Sequence, residues 1–265
     1  MSENKYDLSN VHNKISTGAG FLDEYLDGGY EKNIVTTIYG PAGSGKTNLC
    51  LLAAVKVAEQ GKKVVLIDTE GGVAVERIKQ LSEDWENVLN KIIFLQPLNF
   101  EEQQEIFSKL KSLISEEIDV GLILVDSISM LYRLELGKAD AVFETNSALA
   151  RQIATLVEIA RNKSIPVLIT NQVYADFGDR NRVKMVGGDL LKYGSKCLIE
   201  LSKENLSGNN VNYNNNSNYA PHLAKGDQVE EVISRFLTLR KHRYLVEGKR
   251  LSFRIVSNGV VNVTN

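Results

Sequence analysis

Eight consecutive residues, Gly40-Pro41-Ala42-Gly43-Ser44-Gly45-Lys46-Thr47, form a complete G-x-x-x-x-G-K-[ST] element. Its glycines let successive backbone N–H groups turn inward around phosphate oxygens, where a Cβ would obstruct the turn. The element follows an apolar run that predicts a strand and opens a stretch that predicts a helix, so the positive helix end adds attraction for an anion. In that setting Lys46 would reach the β- and γ-phosphates and the Thr47 hydroxyl would ligate Mg²⁺, with Asn48 next to them in the first helical turn. The chemistry expected is that of ATP with Mg²⁺.

Three further strand ends carry matching groups. Leu122-Ile123-Leu124-Val125-Asp126 is an apolar strand ending in a carboxylate, placed to hold the Mg²⁺ water shell. Val64-Val65-Leu66-Ile67-Asp68-Thr69-Glu70 sets Glu70 just beyond another buried strand, where it could polarise an attacking water. Asp68, closer to the strand, is its rival. Leu168-Ile169-Thr170-Asn171-Gln172 ends in amides, and an amide that bonds a γ-phosphate can release the following loop when hydrolysis removes that bond.

These residues need a scaffold, and the hydrophobic pattern describes one. Ile34 to Tyr39, Val64 to Asp68, Ile92 to Leu95, Leu122 to Asp126 and Val167 to Asn171 are nearly continuous apolar runs, as expected of parallel strands buried on both faces. Helical spacing fills the gaps: Leu49 to Glu59, a stretch capped by Asn99 with Phe100, Ile106, Leu110, Leu113 and Ile114 on one face, and Val142 to Arg161. This rhythm predicts an α/β fold with a doubly wound, mostly parallel sheet. After Gln172 the texture changes. Lys196 to Leu201, Arg235 to Lys241, Leu251 to Val256 and Val260 to Val263 read as strands on short turns, with Asn258-Gly259 a hairpin signal, so the tail is expected to extend the sheet with antiparallel strands. The segment 204–220, with seven Asn between Asn209 and Asn218, lacks apolar surface and reads as a mobile insertion.

Composition sets the outer limits. Among 265 residues, 43% are hydrophobic and 24% charged, which excludes whole-chain disorder. Cys50 and Cys197 have no second Cys or His at metal spacing, so neither a disulfide framework nor a zinc site is expected and a cytoplasmic location fits. No apolar run approaches the roughly 18 residues of a membrane span. The net charge of −2 excludes a uniformly basic coat but hides local excess. Arg235 to Arg254 holds seven Lys/Arg against Glu247 alone, and Arg180 to Lys196 holds five against Asp189.

The ordered set of phosphate loop, Asp68-Thr69-Glu70-Gly71, Asp126 strand and Asn171-Gln172 resembles the RecA-fold ATPases. Ile15-Ser16-Thr17-Gly18, Leu22-Asp23 and Gly28-Gly29 look like the recombinase and circadian-clock lineages of that fold. Gly187-Gly188-Asp189, Tyr193-Gly194-Ser195-Lys196 and Arg240-Lys241-His242-Arg243 are more similar to the RadA/Rad51 recombinases, over about Lys14 to Val263. The recombinases' N-terminal helical DNA-binding domain and Phe-x-x-Ala polymerisation motif have no counterpart, a combination that resembles the short archaeal RadA paralogues. The expectation is a single RecA-like ATPase domain over 1–265, with residues 1–13 an N-terminal tail.

The resemblance implies roles. Lys46 and Thr47 would bind ATP and Mg²⁺ within the set Gly40 to Asn48, Asp126 would hold the metal, Glu70 would be the catalytic acid and Gln172 the sensor. DNA-contacting loops would correspond to Ser127 to Asn146 and Val173 to Lys184. The second contains Tyr174, Phe177, Arg180, Arg182 and Lys184, a mixture suited to single-stranded DNA through stacking and phosphate attraction. Lys241, His242 and Arg243 admit three readings: a DNA face, a reach to the γ-phosphate across a subunit interface, or a solvated strand face. The implied function is a weakly hydrolysing, ATP-binding accessory factor of homologous recombination and repair, with DNA and repair proteins as partners. Self-association stays open, because the polymerisation motif is missing while the trans-acting candidates remain. A clock-type signalling ATPase working through protein partners is the alternative, and a metabolic P-loop kinase lacks an identifiable lid or acceptor pocket.

Overall fold

The computed structural model describes residues 13–116, 119–137, 142–176, 179–204 and 234–263. The Asn-rich segment and Phe177 lie outside the described residues. In chain order the elements are β1 (Lys14–Ile15), α1 (Gly20–Tyr25), β2 (Tyr30–Glu31), β3 (Val35–Tyr39), α2 (Lys46–Glu59), β4 (Lys63–Asp68), α3 (Val75–Leu81) and α4 (Trp85–Asn90). Then follow β5 (Ile92–Leu95), α5 (Phe100–Glu116), β6 (Val120–Asp126), α6 (Met130–Leu136), α7 (Val142–Lys163) and β7 (Val167–Asn171). The last part holds β8 (Val173–Asp176), β9 (Asp179–Met185), α8 (Gly188–Gly194), β10 (Cys197–Glu204), β11 (Ser234–Lys241), β12 (Arg250–Val256) and β13 (Gly259–Asn262).

Among the described residues nine strands make one sheet, in the order β13-β12-β11-β10-β3-β7-β6-β4-β5. The strands from β10 through β5 pair in parallel, and β11 to β13 run antiparallel at the other end. The alternation of side chains along each strand divides the core into two layers. Ile38, Leu66, Leu124 and Leu168 face α2 through Leu49, Ala53 and Val57. Their neighbours in sequence, Val65, Ile67, Val125 and Ile169, face α5 and α7 through Phe107, Leu110, Leu149 and Ile153. With helices on both faces these strands expose no polar side, which is why they are continuous apolar runs.

Local signals explain the element ends. Asn99 Oδ1 accepts the Glu102 N–H at 2.9 Å, and the Glu102 carboxylate returns a bond to the Leu98 N–H at 2.8 Å, a reciprocal cap that starts α5. The β12–β13 hairpin closes with Val256 opposite Gly259, so its loop residues are Ser257 and Asn258, one position earlier than the Asn-Gly signal suggests. Two expectations need correction. β10 pairs parallel with β3, because α8 carries the chain back across before Cys197, so the antiparallel extension begins only at β11. The stretch after Gln172 is a two-stranded antiparallel hairpin, β8 with β9, where a loop was expected. Its charged residues mask the strand alternation.

Candidate functional site

All parallel strands that carry candidate chemistry end on one sheet edge, where doubly wound folds bind ligands. The phosphate loop leaves β3, Glu70 follows β4, Asp126 ends β6, and Thr170 to Gln172 end β7. Register keeps them adjacent: Asp68 stands beside Asp126 and Tyr39 beside Asn171.

The phosphate loop is held at van der Waals limits by the C-terminal strands. A Cβ on Gly40 would lie 2.3 Å from the Leu201 carbonyl oxygen, which excludes any side chain there. Gly45 precedes α2 at φ +103°, a left-handed conformation that only glycine adopts without strain. Lys46 is buried and donates to the Gly40 and Pro41 carbonyls, each at 3.0 Å. Burial pushes its pKa down from the usual lysine value; Glu70 and Asp126 oppose that push and Lys203 adds to it. The buried Ser44 hydroxyl has no hydrogen-bond partner among the described residues. A buried ammonium satisfied by its own loop carbonyls, beside a free hydroxyl and a backbone that admits no Cβ, fits a polyphosphate.

Thr47 Oγ1 donates to Asp126 Oδ2 at 2.6 Å, and Thr170 Oγ1 donates to the other oxygen, Oδ1. Asp126 is 3% exposed; burial raises its pKa above the usual carboxylate value against these two hydroxyls, and Glu70 and Asp68 raise it further. A hydroxyl and a carboxylate in contact, both hard oxygen donors, suit Mg²⁺. Gln172 Nε2 donates to Glu70 Oε1 at 2.9 Å, so the two residues expected to act on water and γ-phosphate already touch. Asp68, the rival of Glu70, is spent on structure. Its carboxylate accepts the N–H groups of Glu70, Gly72 and Val73 at 3.2, 3.4 and 3.2 Å and shapes the loop that presents Glu70.

The remaining candidates separate into two groups. On the β8–β9 hairpin, Tyr174 pairs directly with Lys184, and both side chains are exposed. Arg180 and Arg182 belong to β9. Val186 N–H bonds the Gln172 carbonyl at 3.2 Å and Asn171 Nδ2 bonds the Val186 carbonyl at 2.9 Å, so the hairpin base is fastened to the end of β7. Lys241, His242 and Arg243 lie elsewhere. β11 runs opposite to β10, which puts Arg235 at the phosphate-loop edge and Lys241 at the far edge, opposite Leu198. There Lys241 Nζ donates to the Lys192 and Ser195 carbonyls at 2.6 and 2.8 Å, at the end of α8. His242 Nδ1 accepts from Tyr244 and Leu245, and the Arg243 guanidinium grips Glu31 at 2.6 and 2.9 Å. All three side chains have work inside the chain. Asn48 also turns aside, its amide oxygen taken by Arg77 Nε at 2.8 Å.

Residue-level reasoning overlooked two participants. Thr170 was visible as a hydroxyl directly after the aliphatic run Val167 to Ile169 of a buried strand. Arg77 gave no signal, because its partners, the carbonyls of Val256, Ser257 and Gly259, are backbone groups about 180 residues away. It ties the C-terminal hairpin to Asn48 in the first turn of α2.

Comparison with known proteins agrees with this architecture. Residues 9–227 match the Rad51 family model. A DNA repair and recombination protein RadB of Methanobrevibacter smithii is 40% identical over 94% of this chain and 96% of its own length. Its counterpart from Methanococcus maripaludis is 43% identical over 90% of this chain and 96% of its own. A crystal structure of a RadB recombinase superposes with a TM-score of 0.71 at 32% identity, covering 94% of this chain and all of that one. The chain belongs to the Rad51 family, on its RadB branch.

Proposed function

We propose that the chain is an ATP- and Mg²⁺-binding, weakly ATP-hydrolysing DNA-binding protein that assists homologous recombination and DNA repair. Its membership of the Rad51 family and the names of its RadB relatives support the process. One observation carries the mechanism: Gln172 bonds Glu70 on one side and roots the Tyr174–Lys184 hairpin on the other. Lys46 and the Gly40–Thr47 loop bind the polyphosphate, Thr47 and Asp126 hold the metal, and Glu70 orients water. A γ-phosphate near Gln172 competes for its amide and shifts the hairpin, which contacts single-stranded DNA by stacking on Tyr174 and charge attraction to Arg180, Arg182 and Lys184. Lys241, His242 and Arg243 are engaged within the chain at the far edge and carry no part of this assignment. The core works as one ATPase domain. No helix among the described residues is long and apolar enough to cross a membrane.

Binding of single-stranded DNA, titrated against salt with and without ATP, tests the reading. The slope counts phosphate contacts and the ATP dependence measures coupling. Absence of DNA binding at low salt in every nucleotide state contradicts it, and autophosphorylation without DNA binding favours a signalling ATPase.

A further inference from the structure

Two cations beside the phosphate loop have no role in this assignment. Lys203 on β10 pairs across the ladder with Arg235 on β11, at the edge where the loop leaves β3. Lys203 Nζ stands 3.3 Å from where a Cβ on Gly43 would lie. Its charge also lowers the proton affinity of Lys46, so both ammonium groups share one electrostatic neighbourhood. Arg235 lies along the same loop: its Cδ is 3.6 Å from the position of a Gly45 Cβ, and its Nε donates to the Gly43 carbonyl at 3.4 Å. Ile255 and Phe253 complete the contact, 3.1 and 3.5 Å from that same Gly45 position.

The physical consequence follows from charge. Lys46, Lys203 and Arg235 around one short loop repel one another until an anion enters. Loop amides and the start of α2 serve the inner phosphates. Lys203 Nζ stands beside Gly43 in the middle of the loop and its side chain is exposed, so it is free to follow the outer end of a polyphosphate seated there. Arg235 donates to the Gly43 carbonyl, and a carbonyl held by a cation in this way would leave the adjoining amides to an anion.

We infer that Lys203 is a further nucleotide-binding residue, supplied by the chain's own C-terminal strands to the terminal phosphate of ATP, and that Arg235 is a positioning residue for the phosphate loop. The inference rests on the nucleotide-site reading and adds to it a basis for telling triphosphate from diphosphate.

The test measures affinity of the full-length protein for fluorescent ATP and ADP analogues with Mg²⁺, in the wild type and in Lys46→Ala, Lys203→Ala, Lys203→Arg, Arg235→Ala and Arg235→Lys. Lys203→Ala is expected to weaken ATP binding about five- to ten-fold, the worth of one charge-assisted contact near the surface, and ADP binding less than about two-fold. Lys203→Arg should recover most of the loss. Arg235→Ala should weaken both nucleotides alike, with partial recovery in Arg235→Lys, and the nucleotide-free unfolding temperature should stay unchanged in the two Lys203 variants. Equal losses for ATP and ADP in Lys203→Ala, or none, overturn the Lys203 role; unchanged affinities in Arg235→Ala overturn the Arg235 role. If Lys46→Ala also binds as the wild type does, or the wild type binds neither nucleotide, the underlying site assignment falls as well.

Discussion

Replacing Thr170 by Val removes one hydroxyl and changes almost no volume. Thr170 is fully buried and gives Asp126 one of its two hydroxyl donors, the other being Thr47. A hydrogen bond to a buried charged group contributes about 1.5–3 kcal/mol, so the variant should lose about that much stability while Asp126 is ionised. For a chain of this size that is a fall of roughly 5 °C in unfolding temperature. The pH dependence separates this cause from general misfit. Burial already holds the Asp126 pKa above its ordinary value, and Thr170 is the larger of the two hydroxyl influences that hold it back. Removing Thr170 raises the folded pKa further. Between the unfolded and folded values the folded state binds the extra proton, so stability falls as pH rises through that window. The deficit relative to wild type is therefore complete above both folded pKa values and shrinks as acidification protonates Asp126. Calorimetry on wild type, Thr170→Val and Thr170→Ser, from neutral pH down to the lowest pH at which the proteins stay folded, reads it directly, and Thr170→Ser should restore most of the loss. A deficit constant across pH, or none at neutral pH, would refute the reasoning.

Glu70→Gln keeps an acceptor for the Gln172 amide but removes the negative charge, so ATP affinity should persist while phosphate release slows at least about tenfold; equal loss of both would give Glu70 a structural role. Arg77→Ala breaks four bonds that join α3, Asn48 and the C-terminal hairpin, and should cost about 1–3 kcal/mol, with hydrogen exchange quickening first in β12 and β13. Exchange that quickens uniformly would show that the clamp is not local. Cys50 and Cys197 are buried free thiols, burial raises both pKa values, and that of Cys197 is pushed up to about 12. Neither should react with a thiol-specific reagent at neutral pH until the protein unfolds; rapid modification of native protein would contradict that burial.

What was legible in the sequence was what local physics determines. The phosphate loop declares itself within eight residues, and the five apolar strands and the Asn99 cap lie within a residue or two of where their patterns put them. Asp126, Glu70 and Gln172 could be placed because each directly follows or ends such a strand, and a parallel sheet brings strand ends to one edge. Long-range partners were not legible. Arg240 to Arg243 form a dense basic run, yet Glu31 and the end of α8 absorb Lys241 and Arg243 at the opposite edge. Arg235, at the start of the same strand, reaches the phosphate loop because β11 is antiparallel to β10, a direction the basic run itself does not encode. Asp68 rivals Glu70 on sequence alone, and what separates them is the three backbone N–H groups that the Asp68 carboxylate accepts.

The central claim is that Gln172 transmits nucleotide state from Glu70 to the Tyr174–Lys184 hairpin. Single-stranded DNA affinity, measured at one low salt concentration with ATP, with ADP and without nucleotide, tests it most directly in wild type and Gln172→Ala. The account predicts that wild-type affinity differs between ATP and ADP, and that Gln172→Ala binds ATP and DNA but shows one DNA affinity in all three conditions. A wild type indifferent to nucleotide, or a Gln172→Ala variant that retains the full difference, would contradict it.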